Sequence, residues 1–505
     1  MSTPYQAPLP HPSGHAPSEL SETEYDVIVV GAGAVGENVA DYASRGGLRI
    51  LMVEDELVGG ECSYWACMPS KPLLRSGQAL AAARAVDGAR QAVTGELDTA
   101  AVLERRTTFT HGLDDASQLT WLDAAGLDLV RGRARLVGER ALEVTGHDGS
   151  TARLTARHAI VLCTGSAAAL PPVDGLEDMR PWTSREATSA PAVPDSLLVL
   201  GGGVVGVEMA SAWHSLGSAS VTILQRGERL VPGVEPEAGR RLAEHLRGRG
   251  IEVRLSTEVT AARREDDGSV VVTTSGGELR GAELLVATGR RPRTDDLGLD
   301  VVGLSPGKPI PVEDTMQVPG VPWLYACGDC TGRVLLTHQG KYEARAAGML
   351  IAAKAAGGDV ATPAWSRFTA TADHDAVPQV IFTDPEIAAV GLTEQQARDK
   401  GLSVVTAEYE LGQVAGASVR ADDYSGWAKL VVDADRRVVV GATFLGPDTA
   451  ELLHAATIAL VGEVPLERLW HAVPSYPTVS EVWLRLLDSL MGELGWQRAG
   501  PCGGQ

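Results

Sequence analysis

Two cysteines five positions apart, Cys62 and Cys67, sit in the segment Gly59-Gly60-Glu61-Cys62-Ser63-Tyr64-Trp65-Ala66-Cys67-Met68-Pro69-Ser70-Lys71. Two thiols this close can cycle between a dithiol and a disulfide, which is two-electron chemistry. A regular helix does not suit an i, i+5 pair. It separates the Cα atoms by roughly 8–9 Å, beyond the ~7 Å that a bridge tolerates. The spacing therefore predicts a distorted first turn, with a helix N-terminus nearby to stabilise a thiolate. An inert staple fits less well, because the closed loop is short. A metal site fits less well still, since two thiolates without a neighbouring His or Cys leave a tetrahedral set incomplete. Cys163, Cys327 and Cys330 read as buried packing residues, and Cys502 as a casual thiol in a Gly-rich end.

Elements on either side must position this pair. Tyr25 to Val30 is an apolar strand, followed at once by Gly31-Ala32-Gly33-Ala34-Val35-Gly36 and a helical stretch through Ser44. A second strand, Arg49 to Glu54, ends in an acid. This is a dinucleotide fingerprint in its proper context. Gly31 permits the turn, Gly33 lets a pyrophosphate approach the backbone, Gly36 lets helix and strand pack, and Glu54 suits a ribose hydroxyl. The pattern recurs at Ser196 to Leu200, with Gly201, Gly203 and Gly206 opening the next helix. After the following strand, Val221 to Leu224, position 225 is Gln and not an acid, and Arg226, Arg229 and Arg240 are close in sequence. That composition favours NADP(H) over NAD(H), because arginine suits a 2′-phosphate. Two fingerprints imply two dinucleotides. Asp329, after the strand ending in Tyr325-Ala326-Cys327, reads as a later contributor to the first nucleotide site, so the first domain is expected to be interrupted by the second.

At 505 residues the chain should hold about three domains. Hydrophobic residues at 44% and charged residues at 22% are ordinary globular values. The net charge of −21 argues against nucleic acid and against an anionic membrane. No apolar run nears the ~20 residues that cross a bilayer. Residues 1–23 read as a disordered tail without a signal-peptide core, and 496–505 as a second flexible tail. Six cysteines are too few for a secreted disulfide framework, so a cytoplasmic location is expected. Beyond Val377 short strands at Val380–Phe382, Trp427–Val432 and Val438–Thr443 alternate with helical stretches and carry no nucleotide loop. This reads as an α+β domain suited to a dimer interface.

These marks resemble the pyridine nucleotide-disulfide oxidoreductases. The resemblance rests on the first fingerprint, Cys62/Cys67 with Pro69-Ser70-Lys71, Thr164-Gly165-Ser166, and the second fingerprint with Val207-Glu208. It continues through Ala287-Thr288-Gly289-Arg290-Arg291-Pro292, Gly328-Asp329, Thr383-Asp384-Pro385-Glu386 and Val390-Gly391. It implies an α/β fold with two Rossmann-like dinucleotide-binding domains plus a C-terminal α+β dimerisation domain. The implied parts are 24–180 and 300–370 for FAD, 181–299 for NAD(P), and 371–495 for dimerisation. It implies a homodimer with shared active sites. FAD would bind through Gly31, Gly33, Gly36, Glu54, Thr164, Gly165 and Asp329. The nicotinamide nucleotide would bind through Gly201, Gly203, Gly206, Arg226 and Gly289. Cys67 would face the flavin and Cys62 would exchange with the acceptor. Lys71, paired with Glu208, would stabilise the reduced isoalloxazine.

The chain departs from the family at Tyr476-Pro477-Thr478-Val479-Ser480-Glu481. Disulfide reductases usually carry His where Tyr476 stands, oriented by the acid that Glu481 preserves. A phenol ionises near pH 10 and is a poor base at neutral pH. His471 is out of register to replace it. The expected reaction is NAD(P)H oxidation with electrons passing through Cys62–Cys67 to a small acceptor, in the first place a disulfide or dithiol. Tyrosine at this place keeps a metal ion, a quinone, or direct transhydrogenase and diaphorase activity as alternatives.

Overall fold

The computed structural model describes residues 14–494. Three sheets organise it. In the first, strand β1 (Glu24–Val30) pairs in parallel with β2 (Ile50–Glu54) and with Thr151–Leu162. β3 (Asp128–Arg131) extends the sheet beyond β2. Val321–Ala326 then joins the other side of Thr151–Leu162, so the chain leaves this sheet and returns to it after the second one is built. The second sheet is parallel, in the order Glu252–Arg254, Ser220–Leu224, Ser196–Leu200 and Glu283–Val286. The third is five-stranded and antiparallel, and Trp427–Asp433 and Val438–Gly446 form the hairpin that the polar run between them predicts. Buried apolar runs such as Val27 to Val29 account for the parallel strands, which need cover on both faces.

Each fingerprint glycine sits at a strand-to-helix turn. Helix α1 (Ala34–Ser44) starts directly after Gly33, and the helix Val204–Ser215 starts directly after Gly203. A side chain at Gly36 would overlap the carbonyl oxygen of Gly31, and one at Gly206 that of Gly201. Helix and strand therefore approach more closely than any Cβ permits.

The cysteine segment forms two helices. Helix α2 (Gly60–Tyr64) contains Cys62, and helix α3 (Cys67–Arg84) begins at Cys67. The predicted distortion is a break at Trp65 and Ala66, where Ala66 has φ −133° and ψ −94°. One apolar core ties α3 to the rest of the molecule: Leu73 and Leu74 pack with Trp213 of the second domain and with Ile381 and Trp427 of the third.

The N-terminal tail expected to be disordered through residue 23 is corrected over its described part. His15 bridges Val130 at the sheet edge, its carbonyl accepts from Arg131 N at 2.9 Å, and Pro17 is buried. An edge strand leaves backbone groups unpaired, and the tail satisfies some of them. The outer tail, residues 1–13, and the C-terminal tail with Cys502 lie outside the described residues.

A buried ion pair fastens the loop that leads into the cysteine segment. Arg131 Nη2 donates to Asp115 Oδ2 at 2.5 Å, and both side chains are 5% exposed. Asp115 Oδ2 also accepts from Val58 N at 2.9 Å, and Arg131 Nη1 donates to Glu56 O at 2.7 Å. Removing one partner leaves a buried charge, at a cost of about 3–5 kcal/mol. Asp115→Ala is expected to lower the thermal midpoint clearly, and Asp115→Asn less, because the amide oxygen still accepts from Val58 N. Differential scanning calorimetry of the two variants checks this, and equal midpoints would refute it.

Candidate active site

A cleft of about 620 Å³ runs along the C-terminal edge of the first sheet. Gly31, Gly33, Glu54, Thr164, Gly165 and Asp329 line it, and so does Cys62. The first fingerprint, its acid, the returning Asp329 and a redox sulfur thus share one wall, although they are up to about 300 residues apart in sequence by the usual reach of a doubly wound fold. Gly36 is buried in the first turn of α1, where it supports the turn without facing the cleft.

The lining fits a dinucleotide. Gly33 and Gly60 face each other across a bare backbone cradle, with a Cβ at Gly60 coming to 2.8 Å of Gly33 Cα. Glu54 accepts from Ala32 N and Glu56 N, both at 2.7 Å, so its carboxylate is fixed at the cleft wall as a hydroxyl acceptor. Asp329 accepts a short hydrogen bond from Ser166 Oγ, which is itself held by Arg290 Nε at 2.6 Å.

Cys62 and Cys67 are free thiols, half-buried and in hydrogen-bond contact with each other. The shared hydrogen bond lowers the Cys67 thiol to about 6 against the opposing effect of burial, with help from Thr337 Oγ1 at 3.5 Å and the charge of Lys71. The same bond and burial push Cys62 far up. The directions of the two shifts make Cys67 the more acidic thiol, and it opens α3, where a helix N-terminus favours a thiolate. Lys71 lies one turn into α3, and its Nζ donates to Glu208 Oε2 at 2.8 Å. Glu208 is 4% exposed and also accepts from Phe382 N at 2.9 Å, while Lys71 Nζ stands 4.6 Å from the Phe382 ring centre. First domain, second domain and third domain meet at this one lysine.

The second fingerprint opens elsewhere. Space around Gly203 is free, and Gly289 lies exposed in the loop after the last strand of the second sheet. Gln225 braces this loop: its Oε1 accepts from Gly202 N at 2.9 Å and its Nε2 donates to Arg229 O at 3.3 Å. Arg226 is exposed with no ion pair among the described residues. Arg240 is engaged by Glu237 and Glu244, and Arg229 by Pro232 O at 2.9 Å.

Tyr476 and Glu481 are not brought to the cleft of their own chain. Tyr476 is 77% exposed, and Glu481, 8% exposed, accepts from Gly416 N at 3.3 Å. His471 is exposed as well. Sequence reasoning missed Thr337, whose hydroxyl touches Cys67 and lines the cleft, although it opens a 19-residue helix shortly after Gly328-Asp329. It also missed Arg185, Arg293 and Glu61, which line the same cleft. No spacing rule marks these residues, because only the packing of the domains brings them together.

Two nucleotide folds, a paired-thiol helix start and a third antiparallel domain define a flavoprotein disulfide reductase architecture. The comparisons agree. Residues 25–346 match the pyridine nucleotide-disulphide oxidoreductase family, and residues 377–486 match its dimerisation domain. A mercuric reductase of Lysinibacillus sphaericus is 33% identical over 472 residues, covering 92% of this chain and 82% of that protein. A dihydrolipoyl dehydrogenase 3 of Pseudomonas aeruginosa is 34% identical over 469 residues, covering 90% and 96%. The fold superposes with TM-score 0.79 on the flavoprotein disulfide reductase RclA of Escherichia coli, solved as its Cu(II) complex, at 23% identity and covering 93% of this chain and 100% of that one. The chain belongs to the pyridine nucleotide-disulphide oxidoreductase family, whose members are FAD-dependent enzymes that use a pyridine nucleotide.

A thiol lowered to about 6 is a thiolate at pH 7 and is protonated as the pH falls through that value. In the reduced enzyme the ultraviolet thiolate absorbance, taken as a difference against Cys67→Ser, should therefore fall below about pH 6. Thr337→Val removes a hydrogen bond that favours the charged sulfur and should move this titration upward. A titration left in place by Thr337→Val would refute the assignment.

Proposed function

We propose that this enzyme oxidises NADPH and passes two electrons through Cys62–Cys67 to a small disulfide, as a homodimer. The observation that carries the reading is the asymmetric thiol pair beside Lys71–Glu208. When bound, FAD supplies the two-electron step between nicotinamide and sulfur. The groups proposed to hold it are Gly31, Gly33, Glu54, Thr164, Gly165 and Asp329, with Gly36 supporting the turn. Lys71, paired with Glu208, steadies negative charge around Cys67. Thr337 donates its hydroxyl to the same sulfur. Cys62 attacks one sulfur of the acceptor disulfide, whose S–S bond breaks, and the departing thiolate takes up the proton that Cys62 gives up. Cys67 then attacks the Cys62 sulfur, which releases the second thiolate, protonated from solvent, as the Cys62–Cys67 bond re-forms. The overall balance is NADPH, one proton and a disulfide giving NADP⁺ and two thiols. The place of Cys62 in the cleft wall weighs toward a flavin contact for that sulfur. The opposite assignment, Cys67 to the flavin and Cys62 to the acceptor, rests on the family resemblance and on Cys67 opening α3, where a helix N-terminus favours a thiolate.

Proton movement at the exchange thiol is poorly served in either direction. Among the described residues the groups that bear most on Cys62 are Cys67, Thr337 and Lys341, none of them an imidazole. Exchange with a disulfide or dithiol needs a group to give or take the substrate proton, and Tyr476 of a second copy would serve that step poorly at neutral pH. This same observation favours a second reading, a soft metal ion as acceptor, in line with the similarity to mercuric reductases. Preference for NADPH is supported by Gln225, committed to the loop, and by Arg226, left free to meet a 2′-phosphate.

Cys62→Ser is expected to abolish disulfide or metal reduction while dye reduction taken directly from the flavin continues. Anaerobic assays with lipoamide, glutathione disulfide and Hg(II) read this out, and retained turnover in Cys62→Ser would sink the proposal. Tyr476→His should raise disulfide turnover by about a hundredfold, the lower end of the 10²–10⁴ range of general acid–base catalysis. If Hg(II) is the one acceptor turned over, the second reading replaces the first. Arg226→Ala should raise KM for NADPH by about tenfold, the worth of one charge-assisted contact, and leave KM for NADH nearly unchanged.

A further inference from the structure

The loop between the two sulfurs is gripped from outside by the second domain. Trp65, 5% exposed, lies at the break between α2 and α3. The guanidinium of Arg185 stacks 4.0 Å from its ring centre. Arg185 sits on a short helix, Ser184–Ser189, whose Thr188 Oγ1 donates to Trp65 O at 3.0 Å. Arg185 Nε also donates to Glu61 Oε1 at 2.6 Å, and Glu61 directly precedes Cys62. Its two terminal nitrogens reach Glu56 Oε1 and Oε2 at 2.9 and 2.7 Å. Arg293 Nη2 adds a contact to Glu61 Oε1 at 3.0 Å.

We propose that Arg185 is a positioning residue for the Cys62–Cys67 couple: stacked on Trp65 and paired with Glu61, it holds the loop between the sulfurs and sets how readily their disulfide is reduced. The inference rests on the reading that this pair cycles between dithiol and disulfide. Reduction leaves negative charge on sulfur. An unpaired Glu61 carboxylate beside Cys62 opposes that charge, and Arg185 cancels it. One planar fork makes the stack and three hydrogen bonds together, which an ammonium does not reproduce. Glu61 and Arg185 therefore act on the couple with opposite sign.

The test equilibrates the FAD-loaded enzyme with mixtures of dithiothreitol and its cyclic disulfide, then counts Cys62 and Cys67 thiols by alkylation and mass spectrometry. Each dithiothreitol gives two electrons to the pair and closes its own ring; one of its thiol protons goes to Cys62, and the other goes to solvent where Cys67 is a thiolate. Arg185→Lys should shift the equilibrium about tenfold toward the protein disulfide, equal to about 30 mV for a two-electron couple. Glu61→Gln should shift it toward the dithiol. Trp65→Leu, which keeps all the charges, should move it toward the disulfide by less than Arg185→Lys. Flavin content is read from visible absorbance in all three, and the equilibrium is taken on the flavin-loaded fraction. A general loosening of the structure would move Arg185→Lys and Glu61→Gln in the same direction, and that result overturns the proposal. So does an unchanged equilibrium, or flavin loss without a shift in it. If the wild-type pair accepts no electrons from dithiothreitol, the reading of the couple itself fails, and this proposal with it.

Discussion

Two sulfurs five residues apart must meet, and an unbroken helix keeps them apart. The molecule resolves this by ending α2 at Tyr64 and starting α3 at Cys67. The break is costly to hold, since a short helix has little stability of its own. It is held from several sides. Gly59 and Gly60 take positive φ, Tyr64 Oη donates to Val58 O at 3.0 Å, and the Asp115–Arg131 pair fixes the loop before them. With the break in place, Cys67 gains a helix N-terminus, and that placement suits the lowered thiol.

Charge around the pair is handled the same way, by groups that arrive from distant parts of the chain. Lys71 alone would be a half-buried cation beside sulfur. Glu208 from the second domain balances it, and Phe382 N from the third satisfies the remaining carboxylate oxygen. A shared apolar core of α3, Trp213 and Trp427 keeps these three parts in register. The site is thus rigid where charge must be controlled. Tyr476, by contrast, is exposed and does not line the cleft of its own chain.

Much of this was legible in the residues. The strand–glycine–helix order placed both fingerprints, because the turn leaves only glycine room at Gly36 and Gly206. The late return of the chain to the first sheet was legible from Asp329, which lines the cleft with Thr164. The distortion between Cys62 and Cys67 followed from the helical rise alone. The N-terminal tail was misread over 14–23, since its composition carries no sign that an edge strand is waiting for it. Of the arginines near the second fingerprint, sequence could not say which is free. Arg240 is spent on its own helix and Arg226 is not.

By itself, the sequence determined which chemistry is available: two thiols at a fixed spacing, two nucleotide turns and a phenol where a base is usual. These are local facts, written in neighbouring residues whose geometry the backbone dictates. Tertiary structure decided which groups gather around the two sulfurs. Thr337, Glu208, Arg185 and Arg293 come from four separate stretches of chain, and electrostatic fields act through space over a few ångströms without regard to sequence distance.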